Sequence, residues 1–202
     1  MREKKAYLAG PEVFLPNAVE IGRRKKALCA EYGIEGLYPF DNEVPAVQGE
    51  DDIDVLIYAA NVRMIREADF GIFNLTPFRG PSADVGTVFE LGMLTGIGKP
   101  AFAYTNDNRD FLERCRQFWP VQLNEGIWRD SNQWSVENFG NADNLMIDAA
   151  LRQQGHPIIR HVAPPDALVE DLAGFEQCLK FAVGKLDAEG GSHSRIRADI
   201  RR

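Results

Sequence analysis

The stretch Ser82-Ala83-Asp84-Val85-Gly86-Thr87-Val88-Phe89-Glu90-Leu91-Gly92-Met93-Leu94 decides the fold. It opens on Ser82 and Asp84, side chains able to accept hydrogen bonds from the first free amides of a helix. It continues as an apolar run until Gly98-Lys99-Pro100 breaks it, which predicts a helix from Asp84 to Ile97. Just before it, the apolar Phe70-Gly71-Ile72-Phe73-Asn74-Leu75 empties into Thr76-Pro77-Phe78-Arg79-Gly80-Pro81, a strand feeding a loop. Just after it, Ala101-Phe102-Ala103-Tyr104 reads as another strand. Strand, loop, helix and strand at this spacing make a βαβ unit, and a βαβ unit requires parallel neighbours.

The pattern repeats outward. Ala6-Tyr7-Leu8-Ala9 is a buried strand stopped by Gly10-Pro11, Asn17 to Tyr32 is a surface helix ended by Gly33, and Ile34 to Tyr38 is a strand halted by Pro39. An acidic loop, Asp41 to Asp52, leads to a helix from Asp52 to Glu67. The fifth strand is expected at Ile158-Ile159, after an irregular segment from Thr105 to His156 rich in Asn, Asp, Trp and Gln; segments of that length usually serve as lids or partner contacts. A last helix spans Pro165 to Leu186, and Gly190 to Arg202 reads as a disordered basic tail. The expected fold is α/β: a flavodoxin-like, doubly wound, five-stranded parallel sheet with helices on both faces, in a single domain over residues 1–189. In such sheets ligands bind outside the carboxyl ends of the strands. That rule selects Gly10 to Asn17, Asn74 to Gly86, and Thr105 onwards.

Composition narrows the function. A chain of 202 residues, 45% hydrophobic, can bury one full core, and a net charge of -7 disfavours nucleic acid or an anionic membrane as partner. The three cysteines, Cys29, Cys115 and Cys178, are too few and too scattered for a disulfide framework or a metal pair and read as buried packing residues. The apolar run after Met1-Arg2-Glu3-Lys4-Lys5 is too brief for a signal peptide or membrane span, so a reducing cytoplasm is expected. His156, His161 and His193 lack ligand spacing; neither a metal nor an organic cofactor is expected.

Glu90 carries the chemistry. It sits two turns into the helix among Val88, Phe89, Leu91, Met93 and Leu94, with no neighbour in sequence to neutralise it. A carboxylate in an apolar setting costs several kcal/mol unless hydrogen-bonded, paired or protonated. Gly86 and Gly92 each weaken the helix by about 1 kcal/mol relative to Ala, which points to a close approach of backbone there. The alternative reading is a Glu90 that faces solvent or pairs with an arginine. A nucleophilic carboxylate is one solution to cleaving a glycosidic centre, through a covalent glycosyl-enzyme. A second acid would protonate the leaving group. Asp84, Asp41 and Asp69 are the candidates, and Asp69, at the wrong end of its strand, reads as structural.

At these residues the sequence resembles the nucleoside 2-deoxyribosyltransferase family. Four matching pieces occur in the family's order: Tyr7-Leu8-Ala9-Gly10-Pro11 with Phe14, Asn74-Leu75-Thr76-Pro77-Phe78-Arg79-Gly80, Asp84-x-Gly86-Thr87-x-Phe89-Glu90-x-Gly92, and Asn144-Leu145-Met146. The resemblance implies that Glu90 is the nucleophile attacking C1′ of the deoxyribose, that Tyr7 orients it, and that Asp84 binds the sugar hydroxyls and base region. It further implies that Asn144, with Met146 beside it, reaches the sugar 5′-hydroxyl of a neighbouring subunit's site, hence a homodimer or higher homo-oligomer with shared active sites. Gly10, Gly86, Phe14, Phe78 and Arg79 fall among the binding positions; Phe14, Phe78 and Trp119 can stack on a base or simply pack. One position departs from the pattern: Asn61 stands where some members carry a base-contacting aspartate.

The implied activity is transfer of 2-deoxyribose between nucleobases, with 2′-deoxynucleosides and free nucleobases as partners. Hydrolysis of a deoxynucleoside or deoxynucleotide is the alternative, and a non-catalytic nucleotide-sensing module a third. The related deoxynucleotide N-hydrolases hold a 5′-phosphate in an arginine-bearing first loop. Here that loop, Gly10 to Pro16, carries Glu12 and no arginine, which is expected to repel a phosphate. Arg79 is the one nearby cation, and a salt bridge within its loop is its other reading.

Overall fold

The computed structural model describes residues 3–41 and 53–199, with 189–199 described by backbone alone. In chain order the elements are β1 (Lys4–Ala9), α1 (Ala18–Glu31), β2 (Ile34–Leu37), α2 (Ile53–Glu67), β3 (Phe70–Asn74), α3 (Val85–Gly96), β4 (Ala101–Thr105), α4 (Phe111–Phe118), β5 (Val121–Asn124), β6 (Ile127–Asp130), α5 (Leu145–Gln153), β7 (Ile159–Arg160) and α6 (Ala173–Asp199). Five strands form one sheet in the order β2-β1-β3-β4-β7, every pair parallel. This is the flavodoxin-like order expected of the sequence.

Period-two alternation sorts each strand between two cores. Ala6, Leu8, Phe70, Ile72, Phe102 and Tyr104 pack on one face with Ile21 and Cys29 of α1 and Phe175, Cys178 and Leu179 of α6. Tyr7, Ala9, Phe73, Ala101 and Ala103 pack on the other with Met64 and Ile65 of α2, Leu91 and Leu94 of α3, and Ile147 and Leu151 of α5. The three cysteines are buried and free. No helix among the described residues is long and apolar enough to cross a membrane.

The segment read as irregular, Thr105 to His156, is largely ordered. It holds α4, opened by a capping box between Asp110 and Glu113, a β5–β6 hairpin, and α5, capped by Asn144. The hairpin turns at Glu125 and Gly126, both at positive φ, where the alternating apolar signal is too short to read from sequence. At the C-terminus, Pro165–Ala167 is a separate 3-10 turn and α6 starts at Ala173, because Asp171 accepts a hydrogen bond from the Ala173 amide (2.7 Å) and restarts the chain there. α6 runs past the expected end at Leu186; residues 200–202 of the expected tail, and 42–52 of the acidic loop, lie outside the described residues.

Candidate active site

A cavity of about 450 Å³ opens at the carboxyl edge of β1, bounded by residues after β1, after β2, and on α2 and α3. Gly10, Val13 and Phe14 form one wall, Pro39 and Phe40 a second, Ile57 and Asn61 of α2 a third. Asp84, Gly86, Thr87 and Glu90 complete it from the start of α3. The volume suits a small molecule. Its charged lining, among the described residues, is two carboxylates and no cation.

Glu90 is half-buried. Its Oε1 accepts from the Tyr7 hydroxyl at 2.7 Å and from Asn61 Nδ2 at 3.1 Å. Both donors converge on the same oxygen, and neither engages Oε2. Burial pushes the Glu90 pKa up to about 6; the bonds from Tyr7 and Asn61 oppose the rise, and the charge of Asp84 adds to it. Glu90 is therefore mostly ionised at pH 7, stabilised by two neutral donors rather than by a cation. Tyr7 is fully buried at the end of β1, and burial, reinforced by Glu90, holds its hydroxyl protonated well above the usual tyrosine range. It can donate at any physiological pH.

Asp84 is the N-cap of α3: its Oδ2 accepts from the Thr87 amide (2.9 Å) and hydroxyl (3.0 Å) while the residue lines the cavity. Gly86 sits against that carboxylate, where a Cβ would lie 3.1 Å from Oδ2. The same close-approach expectation finds no support at Gly92, where a Cβ would meet nothing within 4 Å among the described residues. Asp41 is engaged elsewhere, accepting from the Tyr38 amide (3.0 Å) and pairing with Lys26. Asp69 anchors the start of β3 through the Lys5 amide (2.9 Å), a structural role.

Phe14 and Phe78 stack at 5.1 Å with an interplanar angle of 11°, and the Arg79 guanidinium lies over both rings, 5.0 and 4.6 Å from their centroids. Arg79 thus engages aromatic faces, and its φ of 56 puts it in the left-handed region. Phe78 and Arg79 stand behind Phe14 rather than in the cavity lining.

The expectation for Glu12 is overturned. It is fully buried, ion-paired with Lys25 and hydrogen-bonded by Asn74, and it is absent from the cavity lining. A neutralised carboxylate facing inward repels nothing in the crevice. The acidity of the cavity comes from Asp84 and Glu90 instead.

Asn144 caps α5, accepting from the Met146 amide (3.0 Å) and donating to Glu137 (2.7 Å). It does not line the cavity of its own chain, and Met146 beside it is 71% exposed. Trp119 packs on Phe118 away from the cavity. Sequence reasoning missed Val13, Pro39, Phe40, Ile57 and Thr87. The carboxyl-edge rule, applied to β2 as it was to β1 and β3, finds Pro39 and Phe40; Ile57 lies one turn before Asn61 on α2, a relation legible from helical pitch.

The sequence pattern of the family described as nucleoside 2-deoxyribosyltransferase matches residues 6–146. An uncharacterised protein of Schizosaccharomyces pombe is 32% identical over 163 residues, 74% of this chain and 77% of the relative. The solved structure of a 2-desoxiribosyltransferase from Leishmania mexicana superposes with a TM-score of 0.54 at 34% identity, covering 71% of this chain and 85% of that one. A conserved protein from Enterococcus faecalis V583, 16% identical, shares the fold at a TM-score of 0.54 over 90% of this chain and 99% of its own.

Proposed function

Since the chain belongs to the nucleoside 2-deoxyribosyltransferase family, we propose that it transfers 2-deoxyribose between nucleobases through a covalent ester on Glu90. The observation that carries this reading is the Glu90 carboxylate on the cavity wall, with both donors on Oε1. Oε2 is the attacking atom. It forms a bond to C1′ as the C1′–N bond breaks and its electron pair leaves on the base; an incoming base then attacks C1′ and expels the carboxylate. Two displacements give retention at C1′. Tyr7 and Asn61 fix the carboxylate's orientation, and Asp84 receives the sugar hydroxyls.

The apolar side chains of Phe14, Phe40 and Ile57 supply a surface for a planar base. Asn61 cannot protonate the leaving base as an aspartate can, so that proton falls to Asp84, to water or to the incoming base itself. Two carboxylates without a cation among the described lining residues favour uncharged nucleosides over 5′-phosphates. Asn144 and Met146 are proposed to serve a neighbouring subunit's site, which makes the active form a homo-oligomer.

The test is incubation with deoxyinosine plus each free base in turn, products identified by mass. New deoxynucleosides are expected. Free deoxyribose released at an unchanged rate in excess adenine or cytosine would instead make the protein a hydrolase.

A further inference from the structure

Beneath the cavity runs a chain of buried polar groups that the reaction does not use. Lys25 Nζ on α1 donates to Glu12 Oε1, and Asn74 Nδ2 at the end of β3 donates to Glu12 Oε2 at 2.9 Å. Asn74 Oδ1 in turn accepts from the Thr76 amide at 3.0 Å and hydroxyl at 2.6 Å. The Thr76 hydroxyl accepts from the Asn106 amide at 3.0 Å, and Asn106 Nδ2 donates to the carbonyls of Leu168 and Asp171, both at 2.9 Å. All five side chains are at most 1% exposed. The chain links α1, the loops after β1, β3 and β4, and the segment before α6.

Stability alone does not explain the two charges in it. A buried ion pair is commonly matched or bettered by apolar residues of similar size. What it adds here is direction, because each Glu12 oxygen takes a different partner. Gly10 shows how tightly the carboxylate is held against the cavity wall: a Cβ there would come within 2.2 Å of Glu12 Oε2 and 2.6 Å of Asn74 Cβ. The two loops tied by Glu12, Asn74 and Thr76 are tied a second time where Phe14 stacks on Phe78 with Arg79 against both rings.

We propose that Lys25, Glu12, Asn74 and Thr76 are positioning residues, a buried clamp that holds the loops after β1 and β3 in register so that Gly10, Val13 and Phe14 form the wall met by the base. The clamp is a property of the fold; its effect on base binding rests on the function proposed above.

The test uses the full-length protein and two readouts. In Lys25→Met/Glu12→Met, which removes both charges and the tie to Asn74, amide hydrogen exchange at residues 10–14 and 76–80 is expected to speed up while α5 and α6 keep their protection. KM for the deoxynucleoside is expected to rise about tenfold, with kcat changed less than about threefold, because the loops shift while Glu90 stays in place. Thr76→Val removes the hydroxyl bonds to Asn74 Oδ1 and from the Asn106 amide but leaves the Thr76 amide on Asn74. It therefore loosens the clamp and is expected to raise KM in the same direction by less than the double variant, whereas Thr76→Ser keeps both bonds and the wild-type KM. If the double variant does not fold, the Thr76 pair decides. Wild-type exchange and KM in the double variant, or in Thr76→Val, would overturn the clamp. A wild-type protein that moves no deoxyribose, with exchange behaving as expected, would sink the functional reading and leave the clamp standing.

Discussion

Glu12 and Glu90 are two carboxylates at the same edge of the same sheet, and they differ in what faces them. Glu12 meets the ammonium of Lys25 and an amide, is fully buried, and lies on the side of the sheet covered by α1 and α6. Glu90 meets a phenol and an amide, lies on the α2 and α3 side, and borders open cavity. A cation and full burial make the first a structural tie. Neutral donors on one oxygen make the second a charge that is stabilised by two hydrogen bonds yet faces the cavity.

Four measurements test this difference between the two carboxylates. The largest expected effect is on turnover: Glu90→Gln should lower kcat by about 10⁴-fold or more with substrate binding retained, as for other nucleophile deletions. A variant that still forms product at the wild-type rate would place the chemistry elsewhere. Next is stability at the paired site. Lys25→Met leaves Glu12 buried without its cation and should cost about 3–5 kcal/mol in urea unfolding, most of it recovered in Lys25→Met/Glu12→Met. Third, Tyr7→Phe removes one donor to the Glu90 anion, worth about 2 kcal/mol, or roughly thirtyfold in kcat/KM. It should also move the acidic limb of the pH–rate profile above the pH near 6 expected of the wild type. An unshifted limb would mean that the limb reports another group.

The smallest effect has a pH signature. Glu90 holds its proton more tightly folded than unfolded, so its ionisation costs the folded state stability as pH rises from about 4.5 through about 6. Glu90→Gln, which never ionises, should be more stable than wild type by about 2 kcal/mol at pH 8, and the two should match near pH 4. Equal unfolding midpoints at pH 8 would show that the Glu90 charge is not strained in the fold.

Much of this contrast was legible before the structure, and its limits are instructive. Glu90 declared itself by lacking any neighbour in sequence able to neutralise it, and the carboxyl-edge rule gathered Gly10, Phe14, Asp84 and Gly86 to it. Asn61 stood out only as a departure from a family pattern; that its amide donates to Glu90 depends on how α2 lies across α3. Glu12 misled because a loop acid reads as solvent-facing, while its partner Lys25 belongs to a helix whose basic residues, Arg23, Arg24, Lys25 and Lys26, look alike in sequence. Only the rotation of α1 buries one of the four.

Local periodicity and chain connectivity dictate the strands of the parallel sheet and the helices between β1 and β4, and so the carboxyl edge at which the cavity opens; the elements between β4 and β7 are too short and polar to be read that way. Which charges are neutralised is set by the tertiary fold. Pairing depends on distances of a few ångströms between side chains far apart along the chain, and nothing local encodes those.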